Sequence, residues 1–502
     1  MVIGRKRKKS RIVIPIVALI VAAGAAFGVL FFGEKLGLFK NGEMRYGENL
    51  SAEEKSWLSE IVPEGKKFSE DFTVDANFIE VAPTKNTEIL ADIFVPVTDF
   101  YSEKADIENS EFTALSPETK SGEVELTSIN DLSPEKKLLS VDGKYYLDDF
   151  ENGAKYRVIT FDKENAETTE IIEKLKEKMS TFPEKSEILT INQTGVTALT
   201  RKLQTKLNET GDGAYFAEKI KDFLSSTDLT HISNEVSFAD NCKTDSATTT
   251  LCADPRMMRT IEAIGTDIVE LTGNHNNDWS TTANLATIKT YHDKDIKTFG
   301  GGENEEEAKK PLEIDQKNTK ITWLGVNYST STKANGQGAN GDKPGANIYD
   351  EETVKSQIEK AKAAGDFVIV DVQFFECYSY PERGTEMPSC DAPIENQTKF
   401  FRHLIDLGAD TVVGTSAHQP QTYEIYDGKP IYYGIGNLFF DQIAWPGTTR
   451  SLVLTHYFKD GKLLQTRISP TAYDATFQTA LMDKTNAEIF LKRLLRSSPK
   501  GK

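Results

Sequence analysis

The chain has 502 residues, 38% of them hydrophobic, which is long enough and apolar enough for more than one packed domain. Its formal charge is −18. An acid excess of that size argues against nucleic acid or an anionic membrane surface as a partner, and it would repel a polyanion unless a cation or a local basic patch intervened.

The first element is a basic stub, residues 1–11, with Arg5, Lys6, Arg7, Lys8, Lys9 and Arg11. Residues 12–32 follow without a charge, 21 residues in all. That length predicts a helix crossing about 30 Å of hydrocarbon. The positive flank then places the N-terminus in the cytoplasm and the remainder outside, which predicts a single-pass location at the cell membrane. A cleaved signal peptide is the rival reading, with Ala22–Ala26 offering small residues for cleavage. Residues 33–60 read as a linker with one amphipathic segment.

Residues 61–184 read as a small α/β or mostly β domain of unassigned role. Its apolar runs are Phe78–Val81, Ile89–Val95, Lys137–Val141 and Tyr156–Phe161, with turns at Asp142-Gly143 and Asn152-Gly153. Glu164–Met179 predicts a charged amphipathic helix, and Pro183 a boundary.

From 185 to 475 the pattern becomes strand–helix alternation, which predicts a layered α/β domain. Predicted strands are Ile188–Ile191, Ile264–Leu271, Ile321–Val326, Phe367–Val372, Thr411–Gly414, Pro430–Ile435 and Ser451–Phe458. Predicted helices are Ala214–Phe223, Thr281–Tyr291, Glu352–Ala364 and Asn396–Leu407. Residues 476–502 form a C-terminal helix and tail. The four cysteines fall into two local pairs, Cys242 with Cys252 and Cys377 with Cys390. An even count in an exported chain predicts disulfides, and the spacings match no zinc pattern.

The segment Leu271-Thr-Gly-Asn-His-Asn-Asn-Asp-Trp-Ser280 carries the most chemistry. It follows a predicted buried strand, so Asn274 and His275 lie at a strand's carboxyl end, where open α/β sheets bind ligands. Both are candidate ligands of a divalent metal, with Asp278 placed to orient the imidazole.

The order of motifs resembles the capsule-biosynthesis (poly-γ-glutamate synthesis, CapA-like) family. Ser233-Asn-Glu235 resembles its Asn-x-Glu element, and Gly273-Asn-His-Asn-Asn-Asp278 its Asn-Asn-His-x-x-Asp element. Phe299–Gly302 with Glu307-Ala308 resembles its glycine-rich turn. Leu407–Gly414 with His418 and Gln421 resembles the segment ending in a His-x-His pair. Tyr433–Asp441 resembles the Gly-Asn-Phe closing motif.

The resemblance implies a four-layer α/β sandwich of the metallophosphoesterase type and a role in capsule or cell-surface polymer assembly in a bacterial envelope. The polymer or its synthesis machinery would be the partner. It also implies metal ligands at Glu235, Asn274, His275 and His418, with His275 and His418 as catalytic candidates and Asp278 and Asn437 in support.

Three expected ligands are changed. No Asp stands in Gln193–Arg201, Gln373 replaces a His at the end of Val368–Val372, and Ser416 replaces another. Gln373 and Glu376 are the candidates to compensate. A two-metal hydrolase needs a bridging carboxylate and several imidazoles to hold ions about 4 Å apart. Four retained ligands suffice for one ion, of Mn, Zn or Fe, or for none if the domain is inactive. Two classes therefore remain open: a metal-dependent hydrolase with a reduced site, and a non-catalytic binding or scaffold module. His231, His292, His403 and His456 match no ligand position and read as structural. Arg201 reads as an ion-pair partner or an anion contact, and Gly300–Gly302 as a tight turn.

Overall fold

The computed structural model describes residues 42–179, 182–244, 249–328, 335–374 and 390–499. The single-pass membrane localisation read from the sequence is overturned. Among the described residues no helix is long and apolar enough to cross a membrane, and the run 12–32 that suggested one lies outside them. The longest described helix, Glu351–Ala364, has 14 residues. It spans about 21 Å, short of the roughly 30 Å of hydrocarbon.

Contacts divide the chain into two units. One comprises the described residues up to Phe94 with Ala154–Phe182, and the other Val95–Gly153 with the described residues from Pro183 onward. In the first, strand Phe72–Ile79 pairs in parallel with Met44–Tyr46 and antiparallel with Lys155–Phe161, which pairs antiparallel with Glu88–Asp99. Alternation along Phe72, Val74 and Ala76 turns one face inward, where Leu58, Ile171, Ile172 and Leu175 of two helices cover it. Those helices are Ala52–Ile61, closed by a Ser51–Glu54 capping box, and Ala166–Lys178, capped by Asn165.

The second unit is built on two sheets. The first runs Lys297–Phe299, Ile268–Glu270, Leu229–Asn234, Leu189–Thr197, Arg450–Lys459, Lys462–Ala472, Ala480–Leu481. Its first four strands are parallel, and Asn437–Phe439 adds in parallel to Leu189–Thr197. The second runs Leu312–Gln316, Thr319–Asn327, Phe367–Gln373, Thr411–Gly414, Lys429–Tyr432, Tyr423–Tyr426, with its four middle strands parallel.

The near-continuous apolar strands follow from burial on both faces. Ile191, Ile268, Phe299, Ile321, Trp323 and Ile369 fill one core between the sheets. The other face of the first sheet packs on helices Lys202–Thr210, Met258–Ala263 and Thr281–Asp293 through Leu203, Ile261 and Ile288. The other face of the second packs on Glu351–Ala364 and Glu395–Asp406 through Ile358, Phe401 and Leu404. The layers are thus helix, sheet, sheet, helix: a mixed α/β fold. Val368, Val370 and Val372 face the helices, so Ile369, Asp371 and Gln373 turn toward the other sheet.

Ala214–Phe223, predicted as one helix, is a 3-10 turn at Tyr215–Ala217 and a short helix at Lys221–Leu224. Phe216, Ala217, Ile220 and Leu224 all join the core under the first sheet, and that packing overrides local helical preference.

Candidate functional site

The parallel strands of both sheets end on one side of the second unit. Asn234, Glu270, Gln373 and Gly414 close their strands there, and the sequence-predicted residues lie just beyond. Directly beneath is a buried polar network between the sheets. Asp371 accepts from Gln193 Nε2 at 2.7 Å and from Trp323 Nε1 at 2.9 Å, both on Oδ1. His231 stacks on Trp323 at 4.9 Å, and its Nε2 stands 3.1 Å from Asp371 Oδ2. His456 spends both ring nitrogens, Nε2 on Gln193 and Nδ1 on Thr466, each at 2.9 Å. Burial, then the neighbouring His231, pushes its pKa down to about 3. Glu270, fully buried, accepts from Thr272 N at 2.7 Å. Burial, and next the charge of Asp371, pushes its pKa up to about 7.

The loop after Ile268–Glu270 carries the central pair. Gly273 is required by close approach: a Cβ there would stand 2.8 Å from Glu235 Cα. That approach sets Val236 in a bridge with His275 and brings Glu235 alongside. Glu235 is 1% exposed, and neither carboxylate oxygen has a hydrogen-bond partner among the described residues. His275 shares its Nδ1 with Asp278 Oδ2 at 2.7 Å. Burial lowers the His275 pKa, but the hydrogen bond to Asp278 and the charge of Glu235 outweigh it, so the net direction is upward. Asp278 is itself held on both oxygens, by Leu251 N on Oδ2 at 2.9 Å and by Gln337 Nε2 on Oδ1 at 2.8 Å.

Asn274 Oδ1 accepts from Gln373 Nε2 at 3.3 Å. Gln373 therefore meets a predicted ligand by hydrogen bonding to it. Ser416 Oγ donates to Phe374 O at 2.7 Å and accepts from Phe374 N at 3.1 Å, which ties two strand ends together. His418 shares its Nδ1 with Asn437 Oδ1 at 2.9 Å, and its ring lies 5.4 Å from that of Phe440. Arg201 makes an ion pair with Asp441 and stacks over Phe440. Glu376 and Cys377 lie outside the described residues. Cys242 and Cys252 form a disulfide, as expected, and Cys390 is not free. Among the described residues no three or more His, Cys, Asp or Glu gather closely enough to hold a metal ion.

The sequence reading missed Gln337. It donates to Asp278 and accepts from Asn277 N at 2.8 Å, which fixes the loop from a segment about sixty residues away. No signal in Gly336-Gln-Gly338 marks that role. The reading also missed Asp441 as the partner of Arg201.

Comparison with known proteins adds the family. The chain is 26% identical over 214 residues to the capsule biosynthesis protein CapA of Bacillus anthracis, covering 42% of this chain and 48% of that protein. It is 23% identical over 267 residues to the PGA biosynthesis protein CapA of Bacillus subtilis, covering 53% and 66%. A probable polyglutamine synthesis accessory protein of Mycobacterium tuberculosis is 25% identical over 195 residues, 37% of this chain and 48% of that one. The chain thus spans between about half and two thirds of these relatives. A structure of Haemophilus influenzae NAD nucleotidase aligns over 63% of each chain at 10% identity and a TM-score of 0.31, too remote to argue from. The model of the bacterial capsule synthesis protein PGA_cap family matches residues 190–442, half of the chain and all of the strand ends just described, and the chain belongs to that family.

Proposed function

We propose that this protein is an accessory component in the synthesis of a bacterial cell-surface polymer of the poly-γ-glutamate type, working with the synthesis machinery. We also propose that its strand ends form a ligand site centred on Glu235 and His275. Family membership and the names of the relatives support the role. The layer order supports a metallophosphoesterase-type sandwich. One observation carries the site: a buried carboxylate, Glu235, with both oxygens unpartnered. Leaving a carboxylate bare in the interior costs several kcal/mol, so such a group marks where a cation or a donor-rich ligand belongs.

The donor types suit one divalent ion rather than two, and among the described residues Glu235, His275 and His418 are not gathered closely enough to hold it as they stand, so binding would have to draw them together. Glu235 and Asn274 offer oxygens, and His275 and His418 each have Nδ1 anchored by a neighbouring oxygen, the arrangement that orients Nε2 toward a ligand. Mn, Zn or Fe bound there would supply Lewis acidity toward a phosphoester or amide-like centre. Within that hydrolase reading, Asp278 holds the His275 ring and Asn437 the His418 ring, and only an imidazole whose Nε2 the ion leaves free and protonated would give its proton to a leaving group.

A second reading, a non-catalytic binding or scaffold module, is favoured by the Gln373–Asn274 and Ser416–Phe374 contacts. Those contacts spend side chains on protein partners at two of the changed ligand positions.

Elemental analysis of the full-length protein, dialysed without chelator and incubated with Mn²⁺, Zn²⁺ or Fe²⁺, tests the ion. About one ion per chain, lost in a His275→Ala/His418→Ala variant, supports the reduced metal site and justifies a phosphodiesterase and polymer-hydrolysis screen. Background metal under all conditions rejects the hydrolase and leaves the binding module.

A further inference from the structure

We propose that the Cys242–Cys252 disulfide is a clamp that positions His275. The inference deepens the reading of Glu235 and His275 as a ligand site and rests on it for its functional meaning.

The described residues of the closed loop, 242–244 and 249–252, touch the site from two directions. On one side Leu251, buried, donates its N–H to Asp278 Oδ2 at 2.9 Å. The same oxygen meets His275 Nδ1 at 2.7 Å. Leu251 is the direct neighbour of Cys252, so the cross-link fixes the donor that fixes the carboxylate that fixes the imidazole. Cys252 is fully buried against Ala283, in the first turn of the helix that Ser280 caps just beyond the site loop. The disulfide therefore grips the exit of the loop as well as its middle.

On the other side Thr244 Oγ1 accepts from Arg201 N at 2.9 Å. Arg201 sits at φ +54°, outside the usual range for a side-chain-bearing residue, with its guanidinium on Asp441 and over Phe440. Phe440 in turn faces the His418 ring. One cross-linked loop thus braces the supports of both imidazoles. Gln337 holds only the far oxygen of Asp278 and cannot replace the Leu251 contact.

Breaking the clamp is a balanced exchange. A dithiol reductant transfers two electrons, Cys242 and Cys252 each end as a thiol with one proton, and the reductant leaves as its cyclic disulfide. The test compares three states of the full-length chain: oxidised, reduced with dithiothreitol, and a Cys242→Ser/Cys252→Ser variant that leaves the other cysteines intact. Hydrogen exchange is read by mass spectrometry, ¹⁵N shifts of the labelled histidines give the His275 tautomer, and Mn²⁺ titration gives affinity.

The clamp predicts exchange at least tenfold faster in peptides covering 249–253 and 272–279 in both opened states, loss of the fixed His275 tautomer, and unchanged exchange in Thr319–Asn327. Asp278→Ala in the oxidised protein should release the same tautomer with the disulfide intact, which separates positioning from general stability. A His275 tautomer and local exchange that are the same in all three states overturn the proposal. If the opened states loosen as expected but no state binds Mn²⁺, the clamp stands and the metal reading of the site fails.

Discussion

Replacing Asp278 with Asn tests how the His275 side of the site is held. The carboxylate accepts three hydrogen bonds: His275 Nδ1 and Leu251 N on Oδ2, and Gln337 Nε2 on Oδ1. An amide has one acceptor oxygen. If that oxygen keeps His275 and Leu251, the new NH₂ opposes the Gln337 amide. Gln337 cannot flip to accommodate it, because its Oε1 already accepts from Asn277 N. At least one hydrogen bond to a charged acceptor is therefore lost and two are weakened, a cost of about 2 kcal/mol. In a folded unit of this size that lowers Tm by roughly 3 °C.

The loss has a pH signature. The His275 pKa is raised in the folded state, against the opposing effect of burial, by the bond to Asp278 and the charge of Glu235. A raised histidine contributes stability that is fully present below its unfolded pKa of 6.5 and is lost as pH rises through the folded value. Asp278→Asn should therefore destabilise more at about pH 5.5 than at about pH 8.5. Thermal unfolding of variant and parent at both pH values measures the difference. An equal loss at both, or a larger one at the alkaline end, refutes the assigned partnership.

Glu270→Gln should act in the opposite sense. A buried carboxyl with a pKa near 7 binds its proton in the folded state where the unfolded chain has lost it, so parent stability falls between the unfolded value of 4.5 and about 7. The variant keeps an oxygen for Thr272 N, and its Tm should match the parent's near pH 5 and exceed it near pH 8. Arg402 grips the fully buried Glu424 through two bonds of 2.8 and 2.7 Å. Arg402→Met alone should cost about 3 kcal/mol by leaving the buried carboxylate with only the Tyr433 hydroxyl, whereas Arg402→Met with Glu424→Leu and Tyr433→Phe, which removes all three polar partners, should recover most of it in denaturant melts. Gly273→Ala should cost at least about 2 kcal/mol through its clash with the Glu235 backbone, and should lower any Mn²⁺ affinity measured by calorimetry.

What the sequence made legible follows from local physics. Phe367–Val372 and Thr411–Gly414 read as strands because both faces are covered and every second residue still had to be apolar. Thr281–Tyr291 and Glu352–Ala364 read as helices within two residues of their observed ends, since Ser280 and Asp350 cap them. Asn274 and His275 were visible as strand-end residues for the same reason. The contacts that define the site's chemistry were not. Gln373 meets Asn274 across 99 positions and Ser416 meets Phe374 across 42, pairings that arise only when the two sheets face each other and Thr411–Gly414 lies beside Phe367–Gln373.

The histidines show what separates a structural imidazole from one set toward a ligand. His456 is 1% exposed and commits both nitrogens to protein partners, which satisfies a core polar group and leaves it nothing further to bind. His231 is sealed between Trp323 and Asp371 with no surface at all. His275 and His418 differ from both. Each is only partly buried, and each is fixed through Nδ1 by a residue from its own strand-end segment or the closing motif. Among the described residues neither makes a protein hydrogen bond through Nε2. Fixing one nitrogen costs side-chain freedom that a surface histidine would otherwise keep, and a single hydrogen bond of about 1 kcal/mol barely offsets it. Two such rings on the same side of the fold, one of them, His275, beside an unpartnered Glu235, argue for a ligand that the second nitrogens meet. Ring immobilisation of His275 and His418 in the ligand-free protein, read from ¹⁵N tautomer populations, is the measurement on which that argument turns: freely averaging rings would return both residues to the surface.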